Sequence, residues 1–558
     1  MADTTFTSGT VIASSWLNDV NDIAYGIGSS ASGKGAALVG SEDVGGYFAG
    51  STTEAQTQEI GATLGLPGGS TTAILQAAIN ARSLTLASGT TYELTTTLTI
   101  PSNRTLRLNG ATIKRQTGAG VFDLITNSDQ IGGNTNIKII GPGTIDGNAA
   151  ADSLVATDPA DRFSGVSLVL VTGSSEVSGI TVTGTVNAEA HAGIYLSDCS
   201  DVRLIGNNAT ANDRTGILLF DSVRTMVAYN HSWSNAGSGI SGGGNTDSQF
   251  IGNHCHDNGS GGNYSGLNTS GLRSRVIGNL SHDNTGAGIA IGEVAHSSNE
   301  SIVSDNQSYE NTLDGVTVTN SSRVMVSNNV FRANVRDGVR VQTSSSEITF
   351  VGNCINDNSV LGINLNVGSK HSVQSNRVSG NGATGISIGS VADSVVSDNT
   401  SWNNGTVTTA NSAGILINTC TGMIVSGNRC FDSAGAGGTQ ESGIWMAGGS
   451  NNVVEHNILT GNKTNAIRET SAPVYNRRGN KVGTDPLTGT FTAGAGATHV
   501  VNNNNAPASA SMVLVYATNA SALSRLPICS AVVAGTSFTV SSSGAFAGTE
   551  TYRYEILS

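Results

Sequence analysis

Twelve asparagines, Asn207, Asn230, Asn253, Asn279, Asn306, Asn329, Asn353, Asn376, Asn399, Asn428, Asn457 and Asn480, are separated by eleven intervals of 23 to 29 residues. A repeat of that length marks a solenoid or a propeller. The unit starting at Asn306 reads NQSYENTLDGVTVTNSSRVMVSN. Ten positions after seven of these anchors stands a glycine-preceded aliphatic residue: Ile217, Ile240, Ile289, Val316, Val339, Ile363 and Ile386. Runs such as Val316 to Thr319 alternate apolar and polar residues and end at Gly, Asn or Ser. That pattern predicts short strands joined by tight turns.

Two or three such strands per unit, with no helix between them, make one coil of a parallel β-helix. A leucine-rich repeat is excluded because the unit has no leucine consensus, and a WD40 blade needs roughly 40 to 45 residues. Asparagine suits the bend because it tolerates the left-handed backbone region, and stacked amides can bond from coil to coil. Its column is therefore read as structural. The fold class expected is all-β, a right-handed parallel β-helix with a short N-terminal helical stub and a C-terminal antiparallel sandwich.

Composition agrees: 72 glycines, 8 prolines and only 5% aromatic residues describe a turn-dense β chain. At 558 residues the chain exceeds one ordinary domain, but each coil of a solenoid contacts only its neighbours, so length is no obstacle. A net charge of −13 speaks against nucleic acid as a partner. No basic-then-apolar leader and no apolar run long enough for a bilayer is visible, so neither Sec export nor membrane insertion is expected. The six cysteines show no paired or metal-like spacing. Cys255 and Cys430 fall two places after their anchors, at a small inward position, and are expected as buried free thiols.

Four regions follow. Residues 1–30 form a stub with Trp16, Leu17, Val20 and Ala24 on one helical face, and 31–69 read as a Gly- and Ser-rich linker. Residues 70–485 form the β-helix, opened by a capping helix in STTAILQAAINAR. The alternation in 486–558 belongs to the small antiparallel sandwich.

Three residues past the anchors stand Thr210, Trp233, His256, His282, Tyr309, Arg332, Asn356, Ser379, Trp402, Phe431 and Thr460. Alternation turns this column outward. Trp233, His256, His282, Tyr309, Arg332 and Trp402 suit stacking on sugar rings and bonding to hydroxyls. The alternative is that Trp233, Tyr309, Trp402 and Phe431 pack on another subunit.

One place further, Asp257, Asp283 and Glu310 fall on consecutive coils. With coils about 4.8 Å apart, carboxylates would lie roughly 5 or 10 Å apart, near the separations of ~5 to 5.5 Å and ~6.5 to 9.5 Å that retaining and inverting glycosidases use. Like charges stacked so closely raise one another's pKa and create an acid beside a base. These three are the candidate catalytic residues for glycoside hydrolysis. The competing reading is that an acid before Asn simply caps a turn. His254, His256 and Asp257 alternate in direction along a strand, so no metal site and no cofactor is expected.

In the units from Asn253, Asn399 and Asn428 the glycine–aliphatic landmark arrives after 14, 16 and 16 positions, so longer loops leave one edge and could wall a groove. Glu189, His191 and Asp213 on that edge, and Glu293 in a separate insertion, are secondary candidates. A histidine or arginine beside a carboxylate would equally suit a lyase.

The layout resembles bacteriophage tailspikes with polysaccharide depolymerase activity. FTSGTVIASSWLNDVNDIAYG is similar to the virion-attachment stub of podovirus tailspikes. TAILQAAINA followed by SGTTYELTTTLTIPSNRTLRLNGATIK, and then GPGTIDGN, look like the entry to the pectate-lyase-like β-helix. The resemblance implies a homotrimer made in the host cytoplasm and carried on the virion, joined to a tail or baseplate protein through residues 1–30. It implies binding and cleavage of a bacterial surface polysaccharide, capsule or O-antigen, at the host cell surface. A non-enzymatic glycan-binding fibre and a secreted pectate-lyase-type enzyme are the alternatives.

Overall fold

The computed structural model describes residues 71–152, 163–185, 192–408, 411–471, 475–482, 488–503, 513–523, 525, 527–533 and 536–556. They fall within one compact unit, Thr63–Ser558. The expected stub and linker, and the candidates Glu189 and His191, lie outside the described residues.

Each coil contributes three strands. In the unit from Asn230 they are His231–Trp233, Ile240–Thr246 and Gln249–Ile251. We name their columns the anchor, landmark and return columns. The strands pair in parallel with their counterparts one coil on, as in His231↔His254, Ile240↔Leu267 and Gln249↔Arg275, with a register shift after Gly242. The return and anchor columns belong to one parallel sheet of 28 described strands, bent at the asparagine. The landmark column forms a second sheet of 16. The coil is thus three-sided, and the period-two alternation fills its interior: Ile217, Ile240, Val316, Val227 and Phe250 are completely buried.

The anchor asparagines form an unbroken internal ladder. The Oδ1 of each accepts both the backbone N–H and the Nδ2 of the anchor one coil before it, at 2.9 and 3.0 Å from Asn207 to Asn230 and 3.0 and 2.9 Å from Asn457 to Asn480. Buried backbone groups at the bend are satisfied by amides rather than water. A second ladder, unexpected from the sequence, runs five residues later through Asn212, Asn235, Asn258, Asn284, Asn311, Asn334, Asn358, Asn381 and Asn404. It explains the landmark glycine. A Cβ on Gly239 would stand 2.7 Å from the Asn258 amide and 2.6 Å from the Gly266 carbonyl.

The capping helix α1, Thr71–Ala81, buries Leu75 and Ile79 as expected. Gln76 clasps both backbone groups of Thr99 at 2.8 Å, tying the helix to the first coil. Residues after the last coil form two three-stranded antiparallel sheets around Phe538, Val540, Tyr552 and Ile556.

At the turn between landmark and return columns, Asp201, Arg224, Asp247, Arg273, Glu300, Arg323, Glu347, Lys370 and Asp393 occupy the same left-handed position on successive coils. Their signs alternate throughout. Arg224 binds Asp201 at 2.7 Å, Arg273 binds Asp247 at 2.6 Å and Arg323 binds Glu300 at 2.9 Å. Pairs this exposed stabilise weakly, but a shift of one coil would set like charges together, so the ladder favours the correct register. Arg224→Glu is expected to lower the thermal midpoint in dilute buffer. The loss should vanish in 1 M NaCl, where the screening length is about 3 Å; a salt-independent loss would assign the effect to packing.

Candidate functional site

The outer face of the anchor column carries the candidate residues. The middle residue of each strand points inward, and Ser232, Cys255, Ser281 and Ser308 are fully buried. The flanking residues point outward, and in-register parallel pairing places equal positions over one another at the coil spacing of about 4.8 Å. That is also a ring-stacking distance. Trp233 and His256 lie 6.0 Å apart at 7°, His256 and His282 5.1 Å at 2°, and His282 and Tyr309 4.8 Å at 4°. The Arg332 guanidinium covers Tyr309 at 4.2 Å. Five of the six proposed sugar-contacting residues therefore form one continuous row.

Trp402, the sixth, starts a second patch further along the same face. It stacks on Phe431 at 6.1 Å, with Arg377 at 5.4 Å from its ring and Arg429 at 4.4 Å from that of Phe431. Arg377 and Arg429 stand one residue after their anchors, a column that the sequence reading left aside. Among the described residues neither has a carboxylate partner.

Asp257, Asp283 and Glu310 sit beside the row at φ of 53°, 54° and 57°. They occupy the left-handed residue that closes each strand, so the turn reading holds for their backbones. Their side chains nevertheless face functional groups: Asp257 Oδ2 is 2.7 Å from His256 Nδ1, Asp283 Oδ2 is 2.7 Å from His282 Nδ1, and Glu310 is 3.8 Å from Arg332. All three carboxylates are about half exposed and open to a ligand.

A carboxylate only accepts, so His256 and His282 each donate from Nδ1 and turn Nε2 toward the neighbouring rings. His231 Nε2 approaches that of His256 at 2.7 Å, and His254 Nε2 approaches that of His282 at 2.8 Å. His254 and His256 do not alternate in direction, contrary to the reading above. Two residues apart, they share the outer face while Cys255 points inward. The third nitrogen comes from His231 on the preceding coil, not from Asp257; the ligand atoms of His231, His254 and His256 all lie within 4.8 Å of one another. Burial, reinforced by the neighbouring histidines, pulls His254 down to about 4 and lowers His231, so both rings are neutral near pH 7.

The longer loops leave the corner between anchor and landmark columns, where Tyr264 packs under Arg214 at 5.4 Å. Asp213 stands at this corner, its N–H bonded to Thr185 O at 3.1 Å. Glu293 stands elsewhere. It follows the landmark strand Ile289–Ile291 and meets Ser270 and His296 at 3.3 and 3.2 Å, so it is not part of the histidine row.

A further titratable pair escaped the sequence reading. Just before the landmark glycine most coils carry a small residue, but Asp314 and Asp337 stand there on adjacent coils. Arg336 binds Asp314, and Asp337 accepts from Leu361 N–H at 3.0 Å and Asn364 Nδ2 at 2.7 Å. Both carboxylates are shut away from solvent, so the pair works as an internal clamp. Burial, and then the charge of Asp314, raises the pKa of Asp337. A carboxyl raised by folding contributes stability that is present below its unfolded pKa and is lost as pH rises through the folded value. Asp337→Asn removes that loss, and Asn364, whose Oδ1 has no partner, can flip to accept the new amide. The variant is expected to melt no lower than the parent at pH 8, with a flatter stability profile across acid pH; a steeper profile would refute this account.

The right-handed β-helix family model matches residues 162–293, 263–400 and 355–505, which together span more than half of the chain. No curated protein sequence matches it. Among solved structures, the Pseudomonas phage phi297 tailspike gp61 is similar at 12% identity, covering 87% of this chain and 92% of its own, with a TM-score of 0.47. The Dettilon tailspike gp208 is similar at 13% identity over 87% and 89%, with a TM-score of 0.36. The periplasmic alginate epimerase AlgG is similar at 15% identity over 53% and 75%, with a TM-score of 0.43. Family match, parallel columns and coil period agree: the chain belongs to the right-handed β-helix family.

Proposed function

We propose that this protein is a phage tailspike that grips an acidic bacterial surface polysaccharide along the anchor-column face and depolymerises it, by glycoside hydrolysis. The observation that carries the reading is the row Trp233, His256, His282, Tyr309 and Arg332, with an accessible carboxylate beside each of three consecutive coils. The rings repeat at about the length of a sugar unit, and because their faces cover one another they offer edges, ring nitrogens and the Tyr309 hydroxyl to sugar hydroxyls. Asp257, Asp283 and Glu310 supply acid and base, and the imidazoles hold two of them in place.

The acidic character is inferred from Arg332, Arg377 and Arg429, which stand two coils apart in turn, or about 10 Å, close to a disaccharide length. Each lies against an aromatic ring, where a guanidinium binds carboxylates bidentately. β-Elimination on a uronate is a second reading. The contact between His282 and Tyr309 favours it, because such a reaction needs a base and a proton donor side by side. The tailspike resemblance adds a homotrimer, virion attachment through residues 1–30, and trimerisation or glycan contact by residues 486–558.

The test is incubation with a panel of acidic and neutral capsules and O-antigens, with products followed by mass spectrometry. Hydrated oligosaccharides support hydrolysis, whereas unsaturated products absorbing in the ultraviolet support elimination. Binding with no fall in polymer size would reduce the protein to a glycan-binding fibre. Arg377→Ala and Arg429→Ala should each weaken binding of an acidic polymer about tenfold and leave a neutral one untouched.

A further inference from the structure

We propose that His231, His254 and His256 form a binding site for a first-row transition-metal dication, zinc foremost, with His282 or a water completing a tetrahedron. The inference rests on the histidine cluster and stands or falls separately from glycan cleavage.

Three imidazoles from two adjacent coils present ligand nitrogens within 4.8 Å of one another on an accessible face. His282 joins them through its 2.8 Å contact with His254. Zinc–nitrogen bonds of about 2.0 to 2.1 Å place tetrahedral ligand atoms roughly 3.4 Å apart. The 2.7 Å approach of His231 to His256 then widens by less than about 1 Å, a small rotation for surface side chains. The ion takes the place of the proton that otherwise bridges the two rings.

The surrounding groups are those of a metal centre. Metal-bound histidines usually donate their other N–H to a carboxylate, which fixes ring orientation and raises ligand basicity. Asp257 does this for His256 and Asp283 for His282, each at 2.7 Å. A simple ring stack for sugar binding does not require nitrogens turned toward one another with their opposite edges held by carboxylates. The donors are nitrogen only, since Cys255 lies fully buried on the inner side. That set selects zinc, copper, nickel or cobalt over calcium and magnesium, which need oxygen ligands. With an ion in place Asp257 becomes a positioning residue; where water completes the tetrahedron and His282 stays free, Asp283 and Glu310 are left for acid–base work.

The experiment uses the full chain, prepared without an oligohistidine tag and stripped with chelator, and titrates it with zinc chloride by calorimetry and with cobalt chloride by visible absorption. One saturable equivalent per chain, with the absorption bands of tetrahedral cobalt, is the expected result. His231→Ala and His254→Ala should each weaken binding at least a hundredfold. Asp257→Asn, which preserves side-chain shape, should weaken it about 10- to 100-fold. His456→Ala, at a distant turn, should leave it unchanged. Wild-type protein that folds but takes up no stoichiometric zinc or cobalt overturns the site, as does calcium competing equally. Glycan cleavage by that same protein would sink the metal site alone; zinc uptake without cleavage would sink the hydrolase and spare the site.

Discussion

Asn279→Ala is expected to destabilise the β-helix by about 3 kcal/mol, because the removed amide leaves the buried Asn253 N–H without a partner and takes one bond each from three further buried groups. Asn279 Oδ1 accepts the Asn253 N–H and the Asn253 Nδ2, both at 2.9 Å. Its own Nδ2 donates to Phe250 O at 2.9 Å and to Asn306 Oδ1 at 2.9 Å. Alanine orphans the Asn253 N–H and takes one donor from the Phe250 carbonyl, and no solvent reaches a bend where Asn253 and Asn279 are at most 2% exposed. Coils contact only their neighbours, so the damage should be local at first. Thermal unfolding and limited proteolysis check this: the variant should melt lower and be cut near residues 253–306, whereas Gln307→Ala, one place past the next anchor and exposed, should do neither. A variant as stable and protease-resistant as the parent would remove the ladder as the source of the bend.

Asp283→Asn should lower glycan cleavage by roughly 10² to 10⁴ fold, the range for loss of a general acid or base, with the melting temperature unchanged. The substitution suits this question because it isolates charge. Asparagine tolerates the left-handed conformation found at Asp283, and its carbonyl oxygen can still accept from His282 Nδ1. Glu310→Gln and Asp257→Asn are the companions. The fall should appear mainly in kcat for acid–base residues, while Trp233→Ala should act through KM. Full activity in all three carboxamide variants would eliminate this face as the cleavage centre.

Much of the architecture was legible in the chain because its signals are local and repeated. Asparagine spacing, the glycine–aliphatic landmark and period-two alternation each report on a few consecutive residues, and the structure places Ile217, Ile240 and Val316 in the core as the alternation required. The outward column was legible for the same reason. The second asparagine ladder follows Asp or Glu at Asn258, Asn284, Asn311 and Asn358, where it looked like turn chemistry until amides from different coils were seen in contact. The alternating charge turn was missed because its members lie 23 to 27 residues apart, and each by itself is an ordinary surface charge.

The amino-acid order alone determined the coil length, the inward and outward faces and the presence of rings and acids on one column, since strand alternation and left-handed turn residues are properties of short segments. Tertiary structure decided which of those side chains meet. Parallel register set His256 on His282, brought His231 onto His256 from the preceding coil, and turned Asp257 and Asp283 toward imidazoles rather than toward each other. It also closed Asp314 and Asp337 off from solvent. The physical reason is that a stacking distance near 4.8 Å leaves the partner of each group to be chosen by rotamer and by the residue one coil away, and neither is encoded within a single repeat.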